Sequence, residues 1–97
     1  MTSSDDGVYA ISVAASMVSM EIQNLRVYER RGLLTPGRTA GGTRLYSADD
    51  VERLERIRDL LAEGLNLAGI ARVLELEDEV SALRGELGER PDAAESA

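Results

Sequence analysis

The amino-acid sequence predicts a mainly α-helical fold in which a two-stranded hairpin interrupts a run of about four helices, with a short coiled-coil-like helix at the C-terminal end. Apolar residues recur every three or four positions in several segments, as on the buried face of a helix. Between the second and third of these segments, Pro36, Gly37 and the pair Gly41-Gly42 break the helical pattern and suit a hairpin. At 97 residues, the chain is expected to form one domain with a modest core.

The first two predicted helices follow each other closely. Ser12 is suited to cap a short helix over 13–17. A second helix is predicted over 22–31, where Ile22, Leu25 and either Tyr28 or Glu29 recur at helical spacing before Gly32 ends it. The other face of this second helix is polar and basic, with Gln23, Asn24, Arg26, Arg30 and Arg31. Such a face is common on solvated helices, but directly after another short helix it favours a helix-turn-helix.

The segment 33–46 is predicted to form a two-stranded wing with its tip at Gly41-Gly42. Arg38 lies on one arm, and Arg44 and Tyr46 lie on the other. Arginines in a hairpin often serve solubility alone, but their position after a basic helix favours contact with phosphate. These elements together predict a winged helix-turn-helix head.

Two further helices are predicted after the wing. Ser47 and Asp50 have the spacing of a capping box, which starts the third helix and places Asp49 and Asp50 at its positive end. Gly64 ends this helix, and Asn66 is suited to cap the fourth. The residues predicted to face the core are Val51, Leu54, Ile57 and Leu61 in the third helix and Leu67, Ile70, Val73 and Leu74 in the fourth.

The fourth helix has no turn signal before Gly85, so it is predicted to continue beyond the head. Steps of three and four alternate along Val73, Leu76, Val80, Leu83 and Leu87, which is typical of the seam of a coiled coil. This stripe is predicted to pair two chains as a homodimer; the alternative is that it folds back onto its own domain. The predicted organisation is a disordered N-terminus at 1–7, the head at 8–76, a dimerisation extension at 77–87 and a disordered tail at 88–97.

Charge is distributed unevenly along the chain. The formal net charge is −7, yet residues 19–46 carry five arginines against two glutamates, and residues 47–97 carry 14 acidic residues against six arginines. This asymmetry predicts a basic working surface on an acidic body and is compatible with double-stranded DNA as the partner.

The composition excludes several classes of function. Because the chain has no His and no Cys, Ser-His and Cys-His nucleophilic pairs and thiolate metal sites are excluded. Asp49 and Asp50 are explained as helix-capping carboxylates. We therefore expect no enzyme, no metal and no cofactor. Without a membrane-spanning run or a signal peptide, we expect a cytoplasmic protein.

Several motifs, in order and spacing, resemble the MerR family of bacterial regulators. They are Asn24-Leu25-Arg26-Val27-Tyr28-Glu29, Gly32-Leu33-Leu34, Pro36, Arg38 and Gly41-Gly42-Thr43-Arg44-Leu45-Tyr46, extended by Glu63 to Ile70. The resemblance covers about 9–76. Residues 11–15, 38–42 and 65–70 are most similar to the HspR heat-shock repressor branch of that family.

The resemblance implies a head that docks its second helix in a major groove and its wing on the flanking backbone, usually in dimers on inverted repeats. By position, it implies DNA contacts from Gln23, Asn24, Arg26, Tyr28, Arg38, Arg44 and Tyr46, and we expect further contacts from Arg30 and Thr43. These roles suit the chemistry, because amides pair with adenine edges and arginines with phosphate or guanine. Ser19 departs from the family, which commonly has Gly at that position.

We expect a repressor of stress or heat-shock genes. The resemblance implies a chaperone such as DnaK as co-regulator, and no small-molecule effector is expected because the chain ends where larger members begin an effector domain. Two alternatives remain: a small architectural or developmental DNA binder on direct repeats, and a protein-interaction adaptor that has kept the fold. Whether the stripe that ends at Leu87 pairs with another chain distinguishes the first alternative from the dimeric repressor. The presence of Arg26, Arg38, Arg44 and Tyr46 speaks against the second.

Overall fold

The computed structural model describes residues 7–88 and contains four helices and one two-stranded antiparallel sheet. In chain order the elements are α1 (Ile11–Met17), α2 (Ile22–Arg30), β1 (Gly37–Arg38), β2 (Arg44–Leu45), α3 (Ala48–Ala62) and α4 (Leu67–Gly88). The chain divides into two compact units between Gly64 and Leu65. The predicted order of helices and wing is confirmed.

α1 begins earlier than predicted. Its N-cap is Ala10, which makes no side-chain capping hydrogen bond, and Ser12 lies inside the first turn. The early start is explained by Tyr9, the residue before Ala10. Tyr9 forms an antiparallel bridge with Tyr46 through N–H to carbonyl bonds of 2.9 and 2.7 Å. This bridge holds the backbone extended up to Ala10, so the helix starts directly after it.

The ends of α1 and α2 both use backbone in the left-handed region. Ser19 has φ +56°, and the N–H of Met20 reaches back to the carbonyl of Ala15 at 3.0 Å. Gly32 has φ +76°, and the N–H of Leu33 donates to the carbonyl of Tyr28 at 2.9 Å. The second arrangement satisfies carbonyls at the end of α2 and confirms that the chain leaves the helix at Gly32, directly after the C-cap Arg31.

α3 has the predicted start and a slightly different buried face. The hydroxyl of Ser47 accepts from the N–H of Asp50 at 3.0 Å, and the Asp50 carboxylate accepts from the N–H of Ser47 at 2.9 Å, so the capping box is confirmed. The prediction of Leu61 as a core residue is wrong. Leu60 is buried and Leu61 is 38 % exposed. Both lie three or four residues after Ile57, so helical spacing does not separate them.

The core of the first unit is built mainly from aliphatic side chains. Two arginines of α3 also fix this unit: Arg53 donates to the carbonyl of Leu33, and Arg58 donates to the carbonyl of Val18 at 3.0 Å. These bonds tie α3 to the segments that follow α2 and α1. The buried apolar residues are Ala14, Ala15, Val18, Leu25, Tyr28, Leu33, Leu34, Tyr46, Val51, Leu54, Ile57 and Leu60.

The second unit contains α4, which continues without interruption to Gly88. The side-chain oxygen of Asn66 accepts from the N–H of Gly69 at 2.8 Å, which confirms the predicted cap. Ile70 and Leu74 are buried as predicted, whereas Leu67 and Val73 are partly exposed.

The two segments predicted to be disordered fall mostly outside the described residues, since 1–6 and 89–97 are not described. Gly7 and Gly88, at their inner ends, have defined places. Gly7 lies so close to Leu45 that an added Cβ would stand 2.8 Å from the Leu45 carbonyl oxygen, and Gly88 is the last residue of α4.

Candidate nucleic-acid interface

The exposed face of α2 carries four of the predicted contact residues. Leu25 is fully buried and Tyr28 is 4 % exposed, and these two side chains fix the rotation of the helix. The remaining surface is polar and basic, with Gln23, Asn24, Arg26 and Arg30 all exposed. The structure therefore brings two amides and two guanidinium groups together on one helix.

The wing places two arginines directly opposite each other. Arg38 of β1 pairs in register with Arg44 of β2. At the tip, the N–H of Thr39 donates to the carbonyl of Thr43 at 2.8 Å, and Gly42 takes φ +88°. Thr43 is exposed at this tip. Like charges directly opposite across a ladder destabilise a hairpin, so the pair needs a compensating charge.

Glu29 of α2 supplies that charge. Its Oε2 accepts from Nη2 of Arg38 at 2.8 Å, and its Oε1 accepts from Nε of Arg44. The Glu29 side chain is 18 % exposed, against 46 % for Arg38 and 33 % for Arg44. One carboxylate thus connects both strands of the wing to α2.

The role of Glu29 was not predicted from the sequence, in which it counts merely as a negative charge within a basic segment. Its function depends on the register of the wing, since only that register brings Arg38 and Arg44 to one place. Two arginines at equivalent positions on the arms of a predicted hairpin are the signal that could have pointed to a nearby carboxylate.

Two predicted DNA contacts lie in the core instead. Tyr28 is 4 % exposed and Tyr46 is fully buried. Burial raises the pKa of both phenols above the ordinary value of about 10. For Tyr46, the Glu29 and Asp50 charges raise the pKa further, while Arg44 and Arg26 oppose them. Both rings pack in the interior, so we propose no DNA contact for either side chain.

The stripe predicted on α4 is largely exposed. Leu76, Val80, Leu83 and Leu87 are 44, 45, 58 and 60 % exposed. A shallow groove follows this side of the helix and is lined by Val73, Leu76, Glu77, Val80, Ser81 and Arg84. The apolar side chains predicted to form a dimer seam are therefore exposed along α4.

Residues 7–88 hold no group of three or more Asp, Glu, His or Cys side chains arranged to bind a metal ion. None of the helices within that range has the length and apolar character needed to cross a bilayer.

Comparison with known proteins gives consistent results. A family model described as MerR HTH family regulatory protein matches residues 9–77. The heat shock protein HspR of Streptomyces coelicolor is 47 % identical over 94 residues, which are 96 % of this chain and 62 % of that protein. The chain therefore spans less than two thirds of the length of this relative.

Two solved structures share the fold. A MerR family transcriptional regulator from Bacillus cereus matches with a TM-score of 0.67 and 30 % identity, covering 91 % of this chain and 69 % of that one. HiNmlR, a MerR family regulator lacking the sensor domain and bound to promoter DNA, matches with a TM-score of 0.67 and 24 % identity, covering 91 % and 70 %. The predicted winged helix-turn-helix fold is confirmed, and the names of these relatives agree with a regulator, not an enzyme.

Proposed function

Because this chain belongs to the MerR helix-turn-helix family of regulatory proteins, we propose that it binds double-stranded DNA sequence-specifically and regulates transcription. The observation that carries the proposal is the exposed basic face of α2, joined through Glu29 to a wing that presents two arginines. A surface of this kind, set in a chain of net charge −7, concentrates positive charge where phosphate would lie.

The proposed roles follow from side-chain chemistry. α2 enters the major groove, where Gln23 and Asn24 face base edges. Arg26 and Arg30 contact phosphate or guanine. The wing lies on the backbone, with Arg38, Thr43 and Arg44 as its contacts. Phosphate contacts set affinity and register, whereas the amides of α2 supply the sequence preference.

The similarity to a heat shock protein supports the finer proposal of a repressor of stress or heat-shock genes. A chaperone co-regulator such as DnaK remains a prediction that rests on the resemblance to that branch. A cytoplasmic location also remains a prediction.

We assign residues 8–76 to the DNA-binding head and 77–87 to a dimerisation extension. The exposed stripe on α4 supports this, because a lone helix would leave Leu83 and Leu87 in water. A dimer would deliver two heads to an inverted repeat. A monomer on direct repeats is the architectural alternative, and the oligomeric state decides between them.

Selection of bound DNA from a random duplex pool, followed by titrations at several salt concentrations, tests the proposal. We expect one enriched motif and a slope of roughly −0.9 in log affinity against log salt for each phosphate contacted. Arg26→Ala should weaken binding. Arg72→Ala, which removes an arginine that is 69 % exposed on α4, serves as the matched control and should not. No duplex binding even at low salt would refute the regulator and favour the adaptor.

A further inference from the structure

We propose that Glu29 is a specificity-determining positioning residue, which holds Arg38 and Arg44 against α2 and thereby limits phosphate binding to DNA of arbitrary sequence. This inference rests on the proposed function and concerns how the same surface is regulated. Its basis is the bridge in which the two carboxylate oxygens of Glu29 accept from one arginine of each wing strand.

A carboxylate at this place is unfavourable by two local criteria. It subtracts a charge from a surface that should attract phosphate. It also lies in the last turn of α2 (Ile22–Arg30), where the negative end of the helix dipole disfavours an acidic side chain. Neither affinity for phosphate nor the stability of α2 accounts for Glu29, so its contribution must come from what it holds.

Without Glu29, the two wing arginines are only weakly fixed. Each strand of the wing is two residues long, and the register sets the two guanidinium groups opposite each other. Apart from Glu29, Arg38 has a bond from Nη1 to the Gly42 carbonyl at 3.1 Å, which lies within the wing itself. The bridge to Glu29 therefore orients both arginines relative to α2.

The bridge leaves room for DNA. A guanidinium group has five N–H donors, and the bonds to Glu29 use one from Nη2 of Arg38 and one from Nε of Arg44. Both arginines remain at least one third exposed. Phosphate can thus bind the unused donors while the arginines stay in place, so the wing engages the backbone in one orientation relative to the base-reading face.

Loss of the bridge should have opposite effects on two kinds of DNA. Guanidinium groups that no longer bind Glu29 can reorient toward the phosphates of any duplex. Affinity for random DNA should therefore rise. Specific binding needs the wing and α2 engaged together, so its affinity should stay equal or fall. For two partly exposed ion pairs, we expect Glu29→Gln to reduce the ratio of specific to random affinity about threefold to tenfold.

The test compares Glu29→Gln with Glu21→Gln. Glu21 is the exposed N-cap residue of α2 and makes no side-chain capping bond, so its variant changes the charge equally without touching the wing. Affinities are measured for the selected duplex and for a random duplex, alongside the hydrogen exchange of the Arg44 Nε–H by NMR. Glu29→Asp adds a variant that keeps the charge but shortens the side chain by one methylene.

We expect faster Arg44 Nε–H exchange and a reduced affinity ratio in Glu29→Gln, a smaller change of the same sign in Glu29→Asp, and an unchanged ratio in Glu21→Gln. Equal effects of Glu29→Gln and Glu21→Gln would show that charge alone acts and would overturn the inference. Unprotected Arg44 Nε–H in the wild type would overturn the bridge itself. Absence of duplex binding by the wild type would instead refute the proposed function.

Discussion

Tyr46 is a predicted DNA contact that lies in the core of the first unit. Its ring is fully buried, and its hydroxyl has no hydrogen-bond partner among residues 7–88. An unpaired buried hydroxyl costs about 1–3 kcal/mol, so the hydroxyl is a liability to the fold unless it meets another partner.

Tyr46→Phe should therefore leave the free energy of unfolding unchanged or raise it by about 1 kcal/mol, because it removes the unpaired hydroxyl and keeps the ring. Affinity for the selected duplex should not change. Urea denaturation and a duplex titration measure the two effects. A clear loss of affinity at unchanged stability would restore the DNA contact that the sequence indicated.

The raised pKa of Tyr28 and Tyr46 also predicts how stability depends on pH. Both phenols ionise at about pH 10 in the unfolded chain and at higher pH in the folded one, because burial disfavours the charged form. Their contribution is thus fully present below pH 10 and is lost as pH rises through the folded-state pKa. The free energy of unfolding should fall as the pH rises above about 10, and less steeply in Tyr46→Phe. An identical fall in both proteins would contradict the prediction.

At the scale of elements, the sequence predicts those helix ends and turns that depend on neighbouring residues. The capping box of Ser47 and Asp50 and the helix end at Gly32 depend on neighbours within a few residues, and both were predicted. The wing followed from Pro36 and the glycines at its tip. Such features are encoded in short-range backbone and hydrogen-bond preferences.

The features that the sequence did not predict depend on distant partners. α1 starts at Ile11 because Tyr9 pairs with Tyr46, far along the chain. Leu60 is buried in place of Leu61 because of how α3 is rotated in the unit. Glu29 gains its role from the register of the wing. Hydrophobic periodicity predicts that a helix is present, but it does not predict how the helix is rotated or which residues it contacts.

The turn between α1 and α2 offers a test of backbone strain. Ser19 has φ +56°, a conformation that is unfavourable for residues with a Cβ. Ser19→Gly should raise the free energy of unfolding by roughly 1 kcal/mol, after allowing for the greater freedom of Gly in the unfolded chain.

Gly32→Ala is the matched control for this prediction. Gly32 has φ +76°, and a Cβ added there would meet nothing within 4 Å, so the substitution tests the backbone alone. It should lower stability by a similar amount. Thermal denaturation of both variants measures the effects, and a destabilised Ser19→Gly would show that the serine side chain contributes more than the strain costs.

On the scale of the whole molecule, charge and apolar surface are divided between regions of the chain. The five arginines of residues 19–46 lie in the head, and α4 carries the exposed apolar stripe together with Glu75, Glu77, Asp78 and Glu79. This separation fits a molecule in which one region contacts phosphate while another contacts protein. Acidic flanks on α4 also discourage its apolar stripe from binding nucleic acid.

The assembly prediction concerns Leu83, which is 58 % exposed in the C-terminal half of the stripe. Leu83→Glu should convert a dimer to a monomer, because an unpaired carboxylate buried in a short seam costs more than the remaining contacts offset. Affinity for an inverted repeat should then fall much more than affinity for one half-site, since the second head is no longer delivered by the first.

Ala82→Glu provides the control, because residue 82 is exposed on the opposite side of the same helix and gains the same charge. It should leave the dimer intact. Light scattering combined with half-site and full-site titrations distinguishes the two variants. If both behave alike, or if the wild type is already monomeric at micromolar concentration, the stripe is not a dimer seam. The architectural alternative, with single heads on direct repeats, would then explain DNA binding better than a symmetric repressor.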